Sequence, residues 1–335
     1  MKSRVTVLAG GFSPEREVSL ASGANVAAQL RMSGYEAILV DLTLGRLDEA
    51  AERQYCRGAI RDTPSYDDLE QLRAKTDVFG LIQSRDVSDA DLVFPVIHGA
   101  FGEDGHLQAI LDAARLPYVG SGVLGQALAM NKDVSKNLFV QNGVPTAAWK
   151  RVQLGVEAVQ GGRYPVVVKP AGAGSAIGVS ICRNEEEFRE GLRRAVEFDD
   201  EVVVEDYIKG REFTVGMLGD TVLAIGEIRS SATFFDYQAK YQAASTQEIF
   251  PADVSADIVS AAQDAARRAA DALRIRHYCR MDFIVDQSNQ LFVLEVNAVP
   301  GMTAKSLYPQ SAAAAGLPFH VLCDRLCEMA LAKKV

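Results

Sequence analysis

"RMDFIVDQSNQLFVLEVNAVPG", residues 280–301, reads as two apolar runs joined by a polar turn, with Asp282, Glu295 and Asn297 set inside runs that otherwise look buried. Side chains alternate across a strand, so Phe292, Leu294 and Val296 are expected on one face and Val293, Glu295 and Asn297 on the other. The segment "DQSNQ" centres the turn on Ser288 and Asn289. Antiparallel pairing about that centre sets Asp282 opposite Glu295 and Arg280 opposite Asn297, provided that no bulge intervenes. Directly opposed side chains have Cβ atoms roughly 4.5 to 5.5 Å apart, where like charges repel. Three arrangements offset the repulsion: hydration on a solvent-facing sheet, a carboxyl pair in which one acid keeps its proton, or a divalent cation held by two carboxylates and an amide oxygen. The next residues favour the third, because "NAVPGMTAKSL" runs from Asn297 into a Pro-Gly turn whose backbone amides are suited to an anion. On that reading Asp282→Asn relieves the repulsion, leaves folding intact and abolishes metal-dependent turnover.

The surrounding chain has an ordinary globular composition. Its 335 residues, 48% hydrophobic and 24% charged, suffice for two or three domains. A formal net charge of −9 argues against a nucleic-acid or anionic-membrane surface, which needs clustered positive charge, and points to small-molecule partners. No apolar run approaches a membrane span, and "MKSRVTVLAGG" lacks the apolar core of a leader, so a cytoplasmic protein is expected. Five cysteines without a CxxC, beside four histidines, speak against zinc and a disulfide framework. Cys323 and Cys327, spaced i, i+4, are expected on the buried face of one helix.

Toward the N-terminus, strand and helix alternate: "RVTVLA", a helix opening at Ser13-Pro14-Glu15, "EAILV", "DLVFPVI", and a helix from "EDGHLQAILDAA". This βαβ pattern implies a parallel sheet wrapped by helices. Ser13 is expected as N-cap with Pro14 in the first helical position. Residues 43–90 are charged and irregular and are expected to form an excursion of short helices. Composition changes near "YVGSGVLG", residues 118–125. Beyond it are expected two short helices, a strand pair around "KPAGAGSAIGVSIC", a helix "NEEEFREGLRRAVEF" and a strand "EVVVEDYI", together a compact α+β unit. Past Gly210 come strands "EFTVGMLG" and "VLAIGEIR", a polar loop through residue 247, an Ala-rich helix from Ser255 to Leu273, the opening hairpin and two closing helices.

The loop "VVVKPAGAGSAIGVSIC" places Gly172, Gly174 and Gly178 between two strands. No Gly-Lys-Ser/Thr comes after it and no helix opens there, so neither a Walker A loop nor a dinucleotide fingerprint fits. It is either a mobile hairpin or a lid that folds its backbone N–H groups over a nucleotide. Lys169 ends an otherwise apolar strand, which is disfavoured unless its ammonium meets an anion. The loop "LAGGFSPER" lacks the third spaced glycine of a dinucleotide site; ahead of a helix it can bind a small anion or orient Glu15.

Taken in order, "GGFSPEREVSLASG", "HGAFGEDGHLQ", "LPYVGSGVLGQALAMNK", "VVVKPAGAGSAIGVS", "FFDYQAKY", "CRMDFIVD" and "LEVNAVPGMTAKSLYP" closely resemble the D-alanine–D-alanine ligases, an ATP-grasp family, from about residue 5 to residue 317. The resemblance implies an α/β (α+β) three-domain ATP-grasp fold: a parallel-sheet N-terminal domain over 1–120, a central domain with the glycine lid over 121–209, and a C-terminal catalytic domain over 210–335. It implies ATP-dependent joining of two D-alanines through an acyl phosphate, for peptidoglycan precursor synthesis, with Mg²⁺ or Mn²⁺, two ions, and a homodimer. By that resemblance Asp282, Glu295 and Asn297 hold the metal, and Lys132 and Lys169 contact phosphates. Gly174 and Ser175 belong to the lid, Glu205 and Glu212 meet adenine and ribose, and Lys240 meets the γ-phosphate. Arg280 and the N–H of Gly301 stabilise the oxyanion. Glu15 holds the first substrate's ammonium, linked through Ser175 and Tyr241 to the closing loop, with His98 nearby. Ser306 and Leu307 bind the second substrate's carboxylate.

Three departures from the family pattern bear on these roles. Gly174-Ser175-Ala176 stands for the family's usual Gly-Ser-Ser, "NAVPG" for the commoner Asn-Thr pattern, and Lys305 where some members have His. Tyr241 resembles the dipeptide-forming members, which favours an amine acceptor over lactate. The alternative is a paralogue joining D-alanine to another amino acid or acting in secondary metabolism; a rival of another class is a catalytically silent nucleotide-binding protein.

Overall fold

The computed structural model describes residues 2–57, 64–153, 163–230 and 246–332. Strand β1 (Arg4–Ala9) lies between β2 (Glu36–Asp41) and β4 (Leu92–Pro95), parallel to both, and β3 (Gly45–Arg46) pairs antiparallel at the edge. Continuous apolar strands of this kind need cover on both faces. On one face α1 (Arg16–Met32) supplies Leu20, Val26 and Leu30 against Val5, Val7, Leu39 and Phe94. The described residues between 49 and 88 include the short helices α2 (Glu49–Arg57), α3 (Tyr66–Lys75), α4 (Val78–Gln83) and α5 (Arg85–Ser88). Ile82 and Val87 from this excursion join Leu107 and Leu111 of α6 (His106–Ala113) on the opposite face.

Helices α7 (Val123–Met130) and α8 (Lys132–Gln141) lead to an antiparallel sheet ordered β5 (Trp149–Gln153), β8 (Glu201–Asp206), β6 (Val166–Pro170), β7 (Ser180–Cys182). Phe188 of α9 (Glu185–Ala195) fills its core with Val166, Val168, Val202 and Val204. A third sheet, also antiparallel, runs β11 (Thr246–Ile249), β10 (Thr221–Ser230), β9 (Gly210–Leu218), β12 (Tyr278–Asp286), β13 (Leu291–Asn297). The Ala-rich helix α10 (Ala256–Ala272) is capped by the Ser255 hydroxyl, which accepts from the Ile258 N–H. Its buried alanines, at helical spacing, let it lie close against Phe213, Met281, Phe283 and Val293. The chain closes with α11 (Leu307–Ala314) and α12 (Phe319–Ala332), and Leu322, Cys323, Leu326 and Cys327 of α12 complete the core over the first sheet. The two cysteines are fully buried and unbridged, as their spacing implies. The fold is thus mixed α/β, with a mostly parallel first sheet and two antiparallel ones. No helix among the described residues is long and apolar enough to cross a membrane.

Three sequence expectations need correction. Helix α1 opens at Arg16, with Glu15 in the capping position: the Ser13 hydroxyl, held by its bond to the His98 carbonyl at 2.6 Å, accepts the Glu15 N–H at 3.2 Å and so makes a turn ahead of the helix. The polar loop placed through residue 247 ends earlier, at β11, whose Gln247 and Glu248 pair with Arg229 and Ile228. The hairpin register is the third. Near the turn Phe283 pairs with Val293 and Val285 with Leu291, so the loop is three residues centred on Ser288, with Asn289 at φ 61°. A bulge then shifts the register, and Asp282 pairs with Glu295 and Arg280 with Asn297. Two offsets of one residue cancel at the polar pair but not along the strand. Val293 and Val296, expected on opposite faces, both enter the core under α10.

Candidate active site

The third sheet separates two tasks by its faces. Phe213, Val215, Met281, Phe283 and Val285 point into the core, so Glu212 and Thr214 of β9 and Arg280 and Asp282 of β12 take the other face by alternation. Asp282 is 5% exposed and heavily solvated by its neighbours. Arg280 donates Nε to Oδ1 at 2.9 Å and a terminal N–H to Oδ2 at 2.7 Å. Thr214 donates its hydroxyl at 2.6 Å, and Asn297 its amide at 3.1 Å. Beside them Lys132, at the start of α8, lies 3.4 Å from Glu295 Oε2 and donates to the Ala173 carbonyl of the glycine loop at 2.6 Å.

These contacts change the answer to the question that the hairpin raises. Cationic charge that offsets the opposed acids comes from Arg280 on Asp282 and from Lys132 beside Glu295. The expectation that Asp282→Asn simply relieves repulsion therefore does not hold, since it would weaken a bidentate ion pair. The donor set itself still fits Mg²⁺ or Mn²⁺: Asp282, Glu295 and Asn297 offer two carboxylates and an amide, hard oxygen ligands that leave room for waters and phosphate oxygens. Among the described residues no cluster of three or more His, Cys, Asp or Glu side chains forms a separate metal site.

A second group meets at the N-terminus of α1. Glu15, 6% exposed, accepts a hydrogen bond from the Ser175 hydroxyl, across 160 positions of sequence. Ser175 and Ala176 hold φ of 52° and 57°, a left-handed stretch of two non-glycine residues at the loop tip. His98, 4% exposed, places Nδ1 3.1 Å from the Val299 carbonyl, and burial lowers its pKa. Glu103, which the sequence does not single out, also belongs to this group. Its Oε2 accepts from the Gly99 N–H at 2.7 Å, and burial, reinforced by the charges of Glu15 and Glu295, pushes its pKa up to about 8. The signal is present in "HGAFGEDG", where an acid follows a glycine turn, but two acids adjoin there and only the fold tells them apart.

The third group surrounds Glu205 on β8. Its Oε1 lies 2.6 Å from Lys169 Nζ and its Oε2 2.9 Å from Lys136 Nζ. Burial pushes the Glu205 pKa upward, yet the two lysines outweigh burial and leave the carboxyl below its ordinary range. Nothing in the sequence pattern marks Lys136. At the far edge Glu248 of β11 accepts from Gln310 at 2.5 Å, and Gln310 also donates to the Lys305 carbonyl at 2.7 Å. Burial raises the Glu248 pKa, while Gln310 and the Arg280 charge oppose the rise.

Ser306 caps α11, and its hydroxyl oxygen accepts from the Thr303 N–H at 3.1 Å. A Cβ at Gly301 would stand 2.8 Å from that hydroxyl, so only glycine brings this turn so close. Leu307, 8% exposed, packs with Ile228 and Phe250. Glu212 sits on β9 opposite Ile284 and Ile228, on the polar side of the sheet. Lys240 and Tyr241 lie outside the described residues.

Residues 4–121 match the family model for the D-ala D-ala ligase N-terminus, and residues 138–328 that for the C-terminus. The chain belongs to the D-alanine–D-alanine ligase family. A D-alanine–D-alanine ligase of Syntrophobacter fumaroxidans is 39% identical over 340 residues, covering 98% of each chain. Among solved structures of the family, the Bacillus anthracis D-alanine–D-alanine ligase complexed with ATP matches with a TM-score of 0.76 and 30% identity, covering 99% of this chain and 98% of that one. The VanG D-Ala:D-Ser ligase of Enterococcus faecalis matches with a TM-score of 0.80 and 29% identity, covering 98% of this chain and all 100% of that one. Family membership spans all three sheets, so it embraces the Glu15, Glu205 and Asp282 groups alike.

Proposed function

We propose that the chain joins two D-alanines into D-alanyl-D-alanine at the expense of ATP, as a step toward peptidoglycan. The observation that carries this reading is the grouping of Arg280, Asp282, Glu295, Asn297 and Lys132 on one sheet face, beside a glycine loop tied to Glu15 through Ser175. Such a face suits a reaction whose difficulty is negative charge. A carboxylate oxygen of the first D-alanine attacks the γ-phosphorus, and ADP leaves. The amine of the second D-alanine, having lost its proton, then attacks the acyl carbon, and inorganic phosphate leaves.

The residues divide the work by charge. Lys132 and Lys169 face the phosphates, joined by Lys240, and Glu205 and Glu212 hold adenine and ribose. Glu15 holds the donor's ammonium, steadied by Ser175 and Tyr241, with His98 and Glu103 behind it. Arg280 and the Gly301 N–H receive the oxyanion, each such donor being worth about 2.7 to 4 kcal/mol in comparable sites. Ser306 and the Leu307 backbone take the acceptor's carboxylate. Asp282, Glu295 and Asn297 would hold Mg²⁺ or Mn²⁺, two ions in all, which would supply positive charge against the phosphates. The domains run over 1–120, 121–209 and 210–335, one sheet in each, with α12 packed across onto the first sheet and α8 onto the third, and the chain acts as a homodimer, which light scattering checks.

The acceptor allows a second reading. Lys305 adjoins the acceptor turn, and a solved relative is a D-Ala:D-Ser ligase, so a different amino acid can serve as the second substrate. Measuring ADP release and dipeptide mass with D-alanine, D-serine and D-lactate as acceptors separates the two. Strong preference for D-alanine is expected. Preference for another acceptor would replace the D-alanine assignment, and nucleotide binding without ADP release would leave a silent binding protein.

A further inference from the structure

Lys136 is a buried lysine that the ligase reading does not use. Its side chain on α8 has no exposed surface. The ammonium donates to Thr146 Oγ1 at 2.7 Å, lies 2.9 Å from Glu205 Oε2, and stands 5.3 Å above the Trp149 ring. Thr146 in turn donates its hydroxyl to the Val293 carbonyl of β13 at 2.8 Å. One continuous chain of polar contacts therefore runs from the third sheet through Thr146 and Lys136 to Glu205 on the second.

Glu205 has two buried cationic partners, Lys136 with none of its side chain exposed and Lys169 with 8%. Lys136 is enclosed by α8, β5 and β8 and has no other anion within reach among the described residues. Lys169 is the penultimate residue of β6, three positions before Gly172 of the glycine loop. The carboxylate thus has one wholly enclosed counter-ion and one that borders the site.

We propose that Lys136 is a positioning residue, the permanent counter-ion of Glu205, which keeps that carboxylate ionised and aimed while Lys169 moves to the phosphates of the incoming nucleotide. This rests on the reading that Lys169 and Glu205 meet ATP. Without Lys136, the departure of Lys169 would strand a buried carboxylate, and such groups take up a proton rather than stay charged. Lys169 and Lys136 are the charged groups that face Glu205, from β6 and α8; from β5 it meets the uncharged Trp149, its partner in register.

The test is calorimetric titration of the full-length protein with a non-hydrolysable ATP analogue and Mg²⁺, from pH 6 to pH 9, in buffers of different ionisation enthalpy. For Lys136→Met we expect a Kd raised at least tenfold at pH 8. Binding should be accompanied by about one more proton taken up than in the wild type. The sign comes from linkage: Glu205 is ionised beside Lys169 before binding and protonated after it, so affinity falls as pH rises, by up to tenfold per unit. Lys136→Arg should restore wild-type behaviour, and Glu205→Gln in the Lys136→Met background should abolish the extra proton. Lys136→Gln keeps the hydrogen bonds without the charge, carries the same expectation, and serves where the Met variant does not fold. A uniform loss of affinity at every pH, with no proton uptake and no effect of Glu205→Gln, would overturn the proposal and leave Lys136 a purely structural lysine. Failure of the wild type to bind the analogue would instead sink the ATP reading itself.

Discussion

The β12–β13 hairpin and the β6–β7 hairpin both carry candidate site residues, yet they hold them in opposite ways. In the first, Arg280, Asp282, Glu295 and Asn297 project from paired strands whose other face is packed under α10. Asp282 is held by Arg280, Thr214 and Asn297 from within the sheet, and Lys132 of α8 stands beside Glu295. In the second, Gly172 to Gly178 leave the strands altogether, and the loop reaches the N-terminus of the first sheet's helix through Ser175 and Glu15. Its backbone adopts a left-handed turn at two residues that have side chains. The comparison suggests a fixed frame for developing charge and an adjustable cover over it.

The fixed frame should be the more sensitive of the two. Arg280→Met is expected to lower turnover by about 10² to 10³-fold, the usual scale for one oxyanion donor. It also leaves Asp282 with no cationic partner, so the variant should lose about 3 kcal/mol by urea unfolding in EDTA, the scale for breaking a buried pair. Mg²⁺ should recover part of that loss by replacing the missing charge. Recovery without metal would show that the Arg280 contact does not balance the acids.

The cover should break differently. Ser175→Ala removes the bond to Glu15 and is expected to reduce kcat/KM for the donor about tenfold, while the unfolding midpoint stays within about 1 kcal/mol of wild type. A large loss of stability would make this loop part of the frame.

Much of the frame is readable from the sequence, and the reason is periodicity. The strands of the third sheet, the capped α10 and the polar pairing of Asp282 with Glu295 all follow from alternation and spacing. An even register yields that pairing on paper, whereas the chain reaches it through a three-residue turn and a bulge between Asp282 and Phe283, midway along the strand. No spacing in "SNQLFVLEVN" reveals two compensating offsets. Glu103, Lys136 and Glu248 escape notice for another reason: their settings are made by elements far apart in the chain, Glu15 and Glu295 around Glu103, Thr146 and Glu205 around Lys136, Arg280 and Gln310 around Glu248. The start of α1 lies later than its local signals indicate: Ser13, bonded to the His98 segment 85 positions away, makes a turn ahead of the helix. Local rules describe helix ends well only while no distant group holds the capping residue.

Glu103 sharpens the boundary between frame and cover. Its raised pKa, about 8, means that the folded protein holds a proton there which the unfolded chain releases at the ordinary carboxyl pKa. Stability from this group is complete below that ordinary value and is lost as pH rises through about 8. Glu103→Gln should therefore flatten the fall in urea midpoint between pH 5 and pH 8, measured without metal or nucleotide; an unchanged slope would show that Glu103 is ionised in the folded chain. The smallest effect belongs to the loop tip. Ala176→Gly removes a left-handed Cβ and should gain at most about 1 kcal/mol, net of the entropy that glycine adds to the unfolded chain.

The central claim is that the polar face of the third sheet is built to hold charge during phosphoryl transfer. Titration of Mn²⁺ in the presence of ADP, followed by electron paramagnetic resonance, tests it most directly in the wild type and in the Asp282→Asn, Glu295→Gln double variant. Saturable Mn²⁺ binding in the wild type and its loss in the folded double variant are expected. Equal Mn²⁺ binding in both proteins would contradict the account.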